Sequence, residues 1–355
     1  MNRVLLRRLG VLGIGLTVAI ATAGHPAAQA EGLQPRHPVS SRDGGPARAP
    51  ATSSTPRRTT PTGTITARVV LNRTRPQLTG IVSTGQATVT LQDYFGGAWR
   101  RVSSVTARRT GAFVFNRVPF ARLRVTSGSL VSRTVDAIGD WRAGFGSLGL
   151  GNIGLAIAPL NSVRIFSAGN LTTGIALSTF KTVIVYTADR HQSGSQENKD
   201  LAIEHSDNGA AQALYDGMGP DHQAYVNATL HALGATRTSV NPQAWGHTEW
   251  PVKQQATFAS QLACAPGNGD VLNLMHHVVP SQAYGFGQTT LATHAAIKGG
   301  WNGDVVRQLA VITIRGRVYG VSMLSTGGYS SGVAKLRKLA TWVANRLAEF
   351  PAAVC

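Results

Sequence analysis

Residues 174–181 read GIALSTFK, and within them Ser178 stands three positions ahead of Lys181. Residues three apart share a helix face, so the two side chains can meet. A serine hydroxyl is a weak nucleophile that needs a base within hydrogen-bond reach. An amine serves as that base once an apolar setting has disfavoured its charged form. A guanidinium cannot give up its proton. Lys181 is the first lysine of a chain whose earlier basic residues are all arginine. Taken alone, the spacing is also what a helix-capping serine beside a solvent-reaching lysine would give.

Two further clusters complete a set. Ser206-Asp207-Asn208 lies where a loop enters a helix, a place where all three residue types also cap well. Lys298-Gly299-Gly300 precedes two strongly apolar strands and also reads as a turn. In this order, S-x-x-K, S-D-N and K-x-G resemble the serine β-lactamase and penicillin-binding protein superfamily. Residues of about 150–350 carry the resemblance. GHTEWPVKQQATFASQLAC and KGGWNGDVVRQLAV are most similar to the class A-related serine hydrolases of exported actinobacterial proteins.

The resemblance implies a role for each position. Ser178 would attack a carbonyl and carry the acyl group, and Lys181 would take or relay its proton. Ser206 would pass a proton to the leaving nitrogen. Asn208 would bind the substrate amide and help to hold Lys181, while Asp207 would be structural. Lys298 would supply positive potential, and Gly300 and Trp301 would border the substrate. The N–H groups of Ser178 and Trp301 would form an oxyanion hole. No metal and no cofactor are implied. The implied function is an exported serine hydrolase acting on a β-lactam or a D-Ala-containing peptidoglycan stem peptide. The rival is a non-catalytic wall-binding protein that keeps the fold.

Three departures bear on that choice. The third motif is K-G-G, which lacks the hydroxyl that in the family contacts a substrate carboxylate. Ser178 and Ser206 are closer in sequence than in class A enzymes, so the helical subdomain is expected to be trimmed. In ALGATRTSVNPQAWGHTEW the only acid is Glu249, a poor match for the loop glutamate that activates a deacylating water. Without such a base an acyl-enzyme would hydrolyse slowly.

Elements must position these residues. The 355-residue chain has 43% hydrophobic residues, enough for a packed core. Residues 1–30 read as a signal peptide: a basic start, a 16-residue apolar run too short for a membrane span, and Ala28-Gln29-Ala30 as the cleavage site. A secreted or wall-associated location follows, with no membrane span after cleavage. Residues 31–63 read as a disordered Pro/Thr/Arg-rich linker. Residues 64–138 alternate with period two between turn signals, the pattern of a small all-β sandwich, and VTLQDYFGGAWRRV…TGAFVF resembles Ig-like modules of exported bacterial proteins. Residues 145–355 read as strands, helices, strands and a last helix. The fold class expected is α+β and β-lactamase/transpeptidase-like: an antiparallel sheet flanked by helices, with an inserted helical subdomain.

Net charge is +18, and residues 61–137 contribute 11 Arg against 2 Asp. A basic surface favours anionic partners such as wall polymers, held by the Arg-rich β module, and equally describes a merely solvated Arg-rich face. No aromatic stacking series accompanies the charge, so a nucleic-acid partner is not expected. Cys264 and Cys355 form a disulfide or remain two thiols. Gly149, Gly151 and Gly154 fit a dinucleotide-binding pattern, but the following IGLAIAPL reads as a strand where that motif requires a helix, so they are read as a Gly-rich lead-in. No His spacing matches a zinc site. Trp245, Trp250 and Trp301 can line a cleft or simply pack.

Overall fold

The structure is a computed structural model that describes residues 63–72, 75–162 and 164–355. The expected leader and linker lie outside the described residues, Gly63 excepted. The first eight strands are β1 (Ile65–Asn72), β2 (Arg75–Val82), β3 (Thr88–Phe95), β4 (Ala98–Thr106), β5 (Ala112–Phe115), β6 (Arg122–Ser127), β7 (Leu130–Val131) and β8 (Val135–Asp136). They form two antiparallel sheets, ordered β1-β2-β5 and β4-β3-β6-β7, with β8 paired to β6. Alternation drives the pairing: in β3 every second residue, Val89, Leu91 and Asp93, is buried.

Helix α1 (Ile138–Gly146) follows. The sequence does not announce it, because Gly139, Gly144 and Gly146 dilute its apolar face. Trp141 is nonetheless fully buried. Gly149 and Gly151 take positive φ in the loop that leads into strand β9 (Ile153–Pro159). That loop is the Gly-rich lead-in, and no helix opens there.

The body is a five-stranded antiparallel sheet ordered β10-β9-β13-β12-β11. Its other strands are β10 (Phe166–Gly169), β11 (Ala295–Asn302), β12 (Val305–Ile314) and β13 (Arg317–Thr326). Strands therefore come from both ends of the segment. β9 is buried throughout and β13 almost so, because helices cover both faces of the sheet. Between β10 and β11 lies the helical subdomain: α2 (Lys181–Arg190), α3 (Gln196–Asp200), α4 (Asn208–Gly217), α5 (His222–Ala232), α6 (Val252–Leu262) and α7 (Gly269–His276). Helix α8 (Tyr329–Ala344) closes the body.

The described residues of the sandwich and of the body belong to one compact unit. Phe120, from the sandwich, packs edge-on to Phe166 at 5.3 Å and against Phe350 at 5.2 Å, while Trp141 meets Trp342 at 5.7 Å. The Phe120 N–H donates to the Glu349 carbonyl at 3.0 Å. One aromatic cluster thus serves as core for both parts. Cys264, after α6, and Cys355, 91 positions further on, are joined by a disulfide. Closing a loop of this size stabilises by about 4.6 kcal/mol on the chain-entropy estimate.

Candidate active site

Ser178 sits in a tight 3₁₀ turn, Leu177–Phe180, which runs directly into α2. It is therefore not the helix cap. Leu177, just before it, is held at φ 54°, a left-handed conformation that is costly for a branched residue. Buried contacts hold the turn. Arg307 on β12 is fully buried and donates to the carbonyls of Gly174, Ile175 and Trp250 and to Gln255 Oε1. Gln255 in turn donates to Thr179 Oγ1 at 2.8 Å, next to the nucleophile position. Burial lowers the Arg307 pKa to about 9, opposed by the charge of Glu249.

Lys181 lies within the first turn of α2 with its amine turned inward, and it is 0% exposed. Its Nζ is 3.1 Å from Ser178 Oγ, 2.5 Å from the Ser206 carbonyl, 2.6 Å from Asn208 Oδ1 and 3.2 Å from Ser206 Oγ. Burial pulls its pKa from 10.5 to about 8, against a smaller opposing effect of the Asp207 charge. A neutral amine has two N–H groups and one lone pair. With the N–H groups given to the Ser206 carbonyl and Asn208, the lone pair is left for the Ser178 hydroxyl.

Ser206 adopts φ 63°, the left-handed region, at the end of a short π turn, Leu201–His205. This conformation aims both its carbonyl and its hydroxyl at Lys181. Asp207 is the cap of α4: its side chain accepts from the Ala210 N–H at 2.7 Å. Asn208, the first helical residue, is thereby fixed beside Lys181. Lys298, also 0% exposed, reaches from β11 to Ser206 Oγ at 2.9 Å and Gln282 Oε1 at 3.2 Å. Burial first, and the Lys181 charge second, hold its pKa well below the usual lysine value. The Ser206 hydroxyl thus bridges two amines whose protonated forms burial disfavours.

The two glycines of the third motif have distinct steric reasons. A Cβ on Gly300 would sit 2.8 Å from the Ser178 nitrogen and 2.9 Å from Leu177 Cβ, so only glycine lets β11 lie this close to the turn. A Cβ on Gly299 would meet the Tyr284 ring, with Cζ at 2.7 Å. The Tyr284 hydroxyl is wedged into the β11–β12 ladder: it accepts from the Gly300 N–H at 2.8 Å and donates to the Arg307 carbonyl at 2.8 Å. Gly300 and Arg307 are register partners, so this hydroxyl replaces a direct strand-to-strand bond. Gln308, the partner of Gly299, fixes the same loop, accepting from the Phe286 N–H and donating to the Tyr284 carbonyl. The space where a hydroxyl-bearing third motif would need room is filled by Tyr284.

The structure therefore brings Ser178, Lys181, Ser206, Asn208 and Lys298 together. Gly300 is close for a steric reason, and its N–H is committed to Tyr284. Strand alternation turns the next N–H, that of Trp301, away from β12. The Trp301 side chain is 39% exposed and lies 5.3 Å from Tyr329. Trp245 contributes a ring 5.7 Å from Lys181 Nζ, held by its Nε1 donating to Gln212. Trp250 is buried and packs on Phe180. Glu249 is exposed and accepts from Thr173 Oγ1 at 3.0 Å. Among the described residues no cluster of three His, Cys, Asp or Glu could hold a metal ion. Sequence reasoning missed Gln282, Tyr284, Gln255 and Arg307, whose signal is a polar residue type at a position that only the fold makes interior.

No family model matches the chain, and no curated protein matches it. Solved structures similar to it include PBP-A, at 20% identity and TM-score 0.44, covering 56% of this chain and 90% of that one. A beta lactamase from Xanthomonas campestris pv. campestris is 18% identical, with TM-score 0.46, covering 56% and 92%. A beta-lactamase from Chitinophaga pinensis is 13% identical, with TM-score 0.48, covering 60% and 100%.

Proposed function

We propose that the protein is an exported serine hydrolase that works through a Ser178 acyl-enzyme on a β-lactam or a D-Ala-containing wall peptide. The observation that carries this reading is the Ser178 Oγ to Lys181 Nζ contact at 3.1 Å, on an amine whose burial favours the neutral form. Ser178 Oγ attacks the amide carbonyl as its proton passes to Lys181 Nζ. The oxyanion that forms is met by the main-chain N–H groups of Ser178 and Trp301. The proton then moves through Ser206 Oγ to the leaving nitrogen, with Lys298 holding that hydroxyl in line. No metal or cofactor takes part in this scheme.

Glu249 is exposed and hydrogen-bonded to Thr173 rather than to a side chain of the Ser178 cluster, which makes it a poor base for a deacylating water. The acyl-enzyme should therefore persist, which favours a slow penicillin-binding type of turnover over rapid β-lactam destruction. The non-catalytic wall-binding alternative draws on this missing base and on Gly299. Two lysines buried without an ion-pair partner among the described residues speak against it, since burying such groups is costly unless their chemistry is used.

Intact-mass analysis with a fluorescent penicillin tests the proposal beside Ser178→Ala. The wild type is expected to gain one penicilloyl mass with a long lifetime, and the variant none. If neither protein labels and wall peptides are not turned over either, the catalytic reading is wrong and the wall-binding one stands.

A further inference from the structure

A second candidate site lies on another part of the unit and owes nothing to Ser178. Where the sandwich meets the body there is a cavity of about 530 Å³. Arg100 and Arg101 of β4, Arg117 after β5, Arg317 at the start of β13 and Arg346 after α8 all line it. These five come from both parts of the fold. The carboxylates in the lining are Asp93 and Glu349, which leaves a net of three positive charges. Asp93 is taken up by Arg100, which donates to it from Nε at 3.3 Å and Nη2 at 3.2 Å. Arg101 and Arg117 are exposed and form no ion pair among the described residues.

Guanidinium groups gathered on a concave wall repel one another, and an oxyanion relieves that repulsion while accepting paired N–H bonds from the forks of Arg101 and Arg117. The volume is in the range of a ligand pocket and several times what one oxyanion fills. The lining holds no Phe, Tyr or Trp, so it offers nothing for a nucleobase to stack on. We propose that this cavity binds a chain of phosphodiester groups without bases, of the polyol-phosphate class. The chain would cross the seam between sandwich and body. Because sandwich and body share one packed aromatic core at the seam, the ligand would be held at a set position relative to the Ser178 cluster.

The test is isothermal titration of the full chain with a synthetic glycerol-phosphate hexamer at two salt concentrations. A single-stranded oligonucleotide and poly-L-glutamate of matched charge serve as competitors. The expected result is saturable binding that weakens steeply with salt. Arg101→Gln with Arg117→Gln should weaken it tenfold or more, whereas Arg108→Gln with Arg109→Gln, an equal charge loss elsewhere on the sandwich, should change it less than twofold. Penicillin labelling at Ser178 should be unchanged in both variants, which separates this proposal from the catalytic one. Equal weakening by the two pairs would reduce the effect to general surface charge and overturn the site. Binding of the oligonucleotide or the polyglutamate as tightly as the hexamer would overturn the ligand class. Absence of binding to the hexamer would overturn both.

Discussion

The cleft and the seam hold positive charge in opposite ways. At the seam five guanidiniums line a cavity of about 530 Å³. In the cleft two ammonium groups lie 0% exposed, with hydroxyl, carbonyl and amide partners instead of carboxylates. An exposed guanidinium is a permanent cation suited to attracting anions. A buried amine is a cation kept near the edge of neutrality, suited to passing a proton. The chain has 28 Arg and only 6 Lys, and two of those six stand in the cleft. Residue choice thus follows what each charge is for.

The sharpest way to break this comparison is to exchange the residue types. Lys181→Arg keeps the charge and removes the lone pair, so acylation should fall by about 10³-fold or more, measured by single-turnover labelling. Arg101→Lys at the seam should cost the hexamer only a few-fold in affinity. If Lys181→Arg stays active, the amine is not the base.

The next effect is in pH. Acylation should rise with pH and level off above about 8, because the neutral form of Lys181 is the competent one. The same group links pH to stability. Its folded-state pKa of about 8 lies below the ordinary 10.5, so between these values the unfolded chain binds more protons and stability rises with pH. Thermal melts of wild type and Lys181→Met from pH 7.5 to 9.5 check this. The wild type should gain relative to the variant, and parallel curves would refute it.

Steric substitutions should do less. Gly300→Ala forces a methyl to 2.8 Å from the Ser178 nitrogen and should cut acylation by about 10²-fold, with about 1–3 kcal/mol lost from overpacking. Tyr284→Phe leaves the Gly300 N–H and the Arg307 carbonyl without their shared hydroxyl. A loss of about 1–3 kcal/mol in denaturant unfolding follows from such unsatisfied groups, with acylation down by about tenfold. An unchanged unfolding midpoint would mean that the strands close over the gap.

Much of this was legible in the residues. Alternation gives the sandwich strands, and the order of apolar runs gives a sheet assembled from both ends around a helical insert. The cluster of Ser178, Lys181, Ser206, Asn208 and Lys298 is legible from motif types and order through the family resemblance, and the structural role that the resemblance implies for Asp207 agrees with its bond from the Ala210 N–H. Three things were not legible. Helix α1 hides behind its glycines and is held by Trp141, whose partners are distant in sequence. Arg307 reads as one more surface arginine because nothing local shows that β12 is covered on both faces. Gly299 reads as a missing hydroxyl, whereas the space beside it belongs to Tyr284, a residue fifteen positions earlier whose approach only the tertiary fold creates.

The aromatic cluster at the seam also has a consequence for how this chain can be cut and recombined. Phe120 belongs to the sandwich, whereas Phe166, Trp342 and Phe350 belong to the body, and they share one interior. The two parts should therefore melt in a single calorimetric transition. A body expressed from residue 145 onward would bare that aromatic face and tend to aggregate. The sandwich is thus not an interchangeable bead: a recombination event or an engineered fusion would have to transfer the interface along with the module.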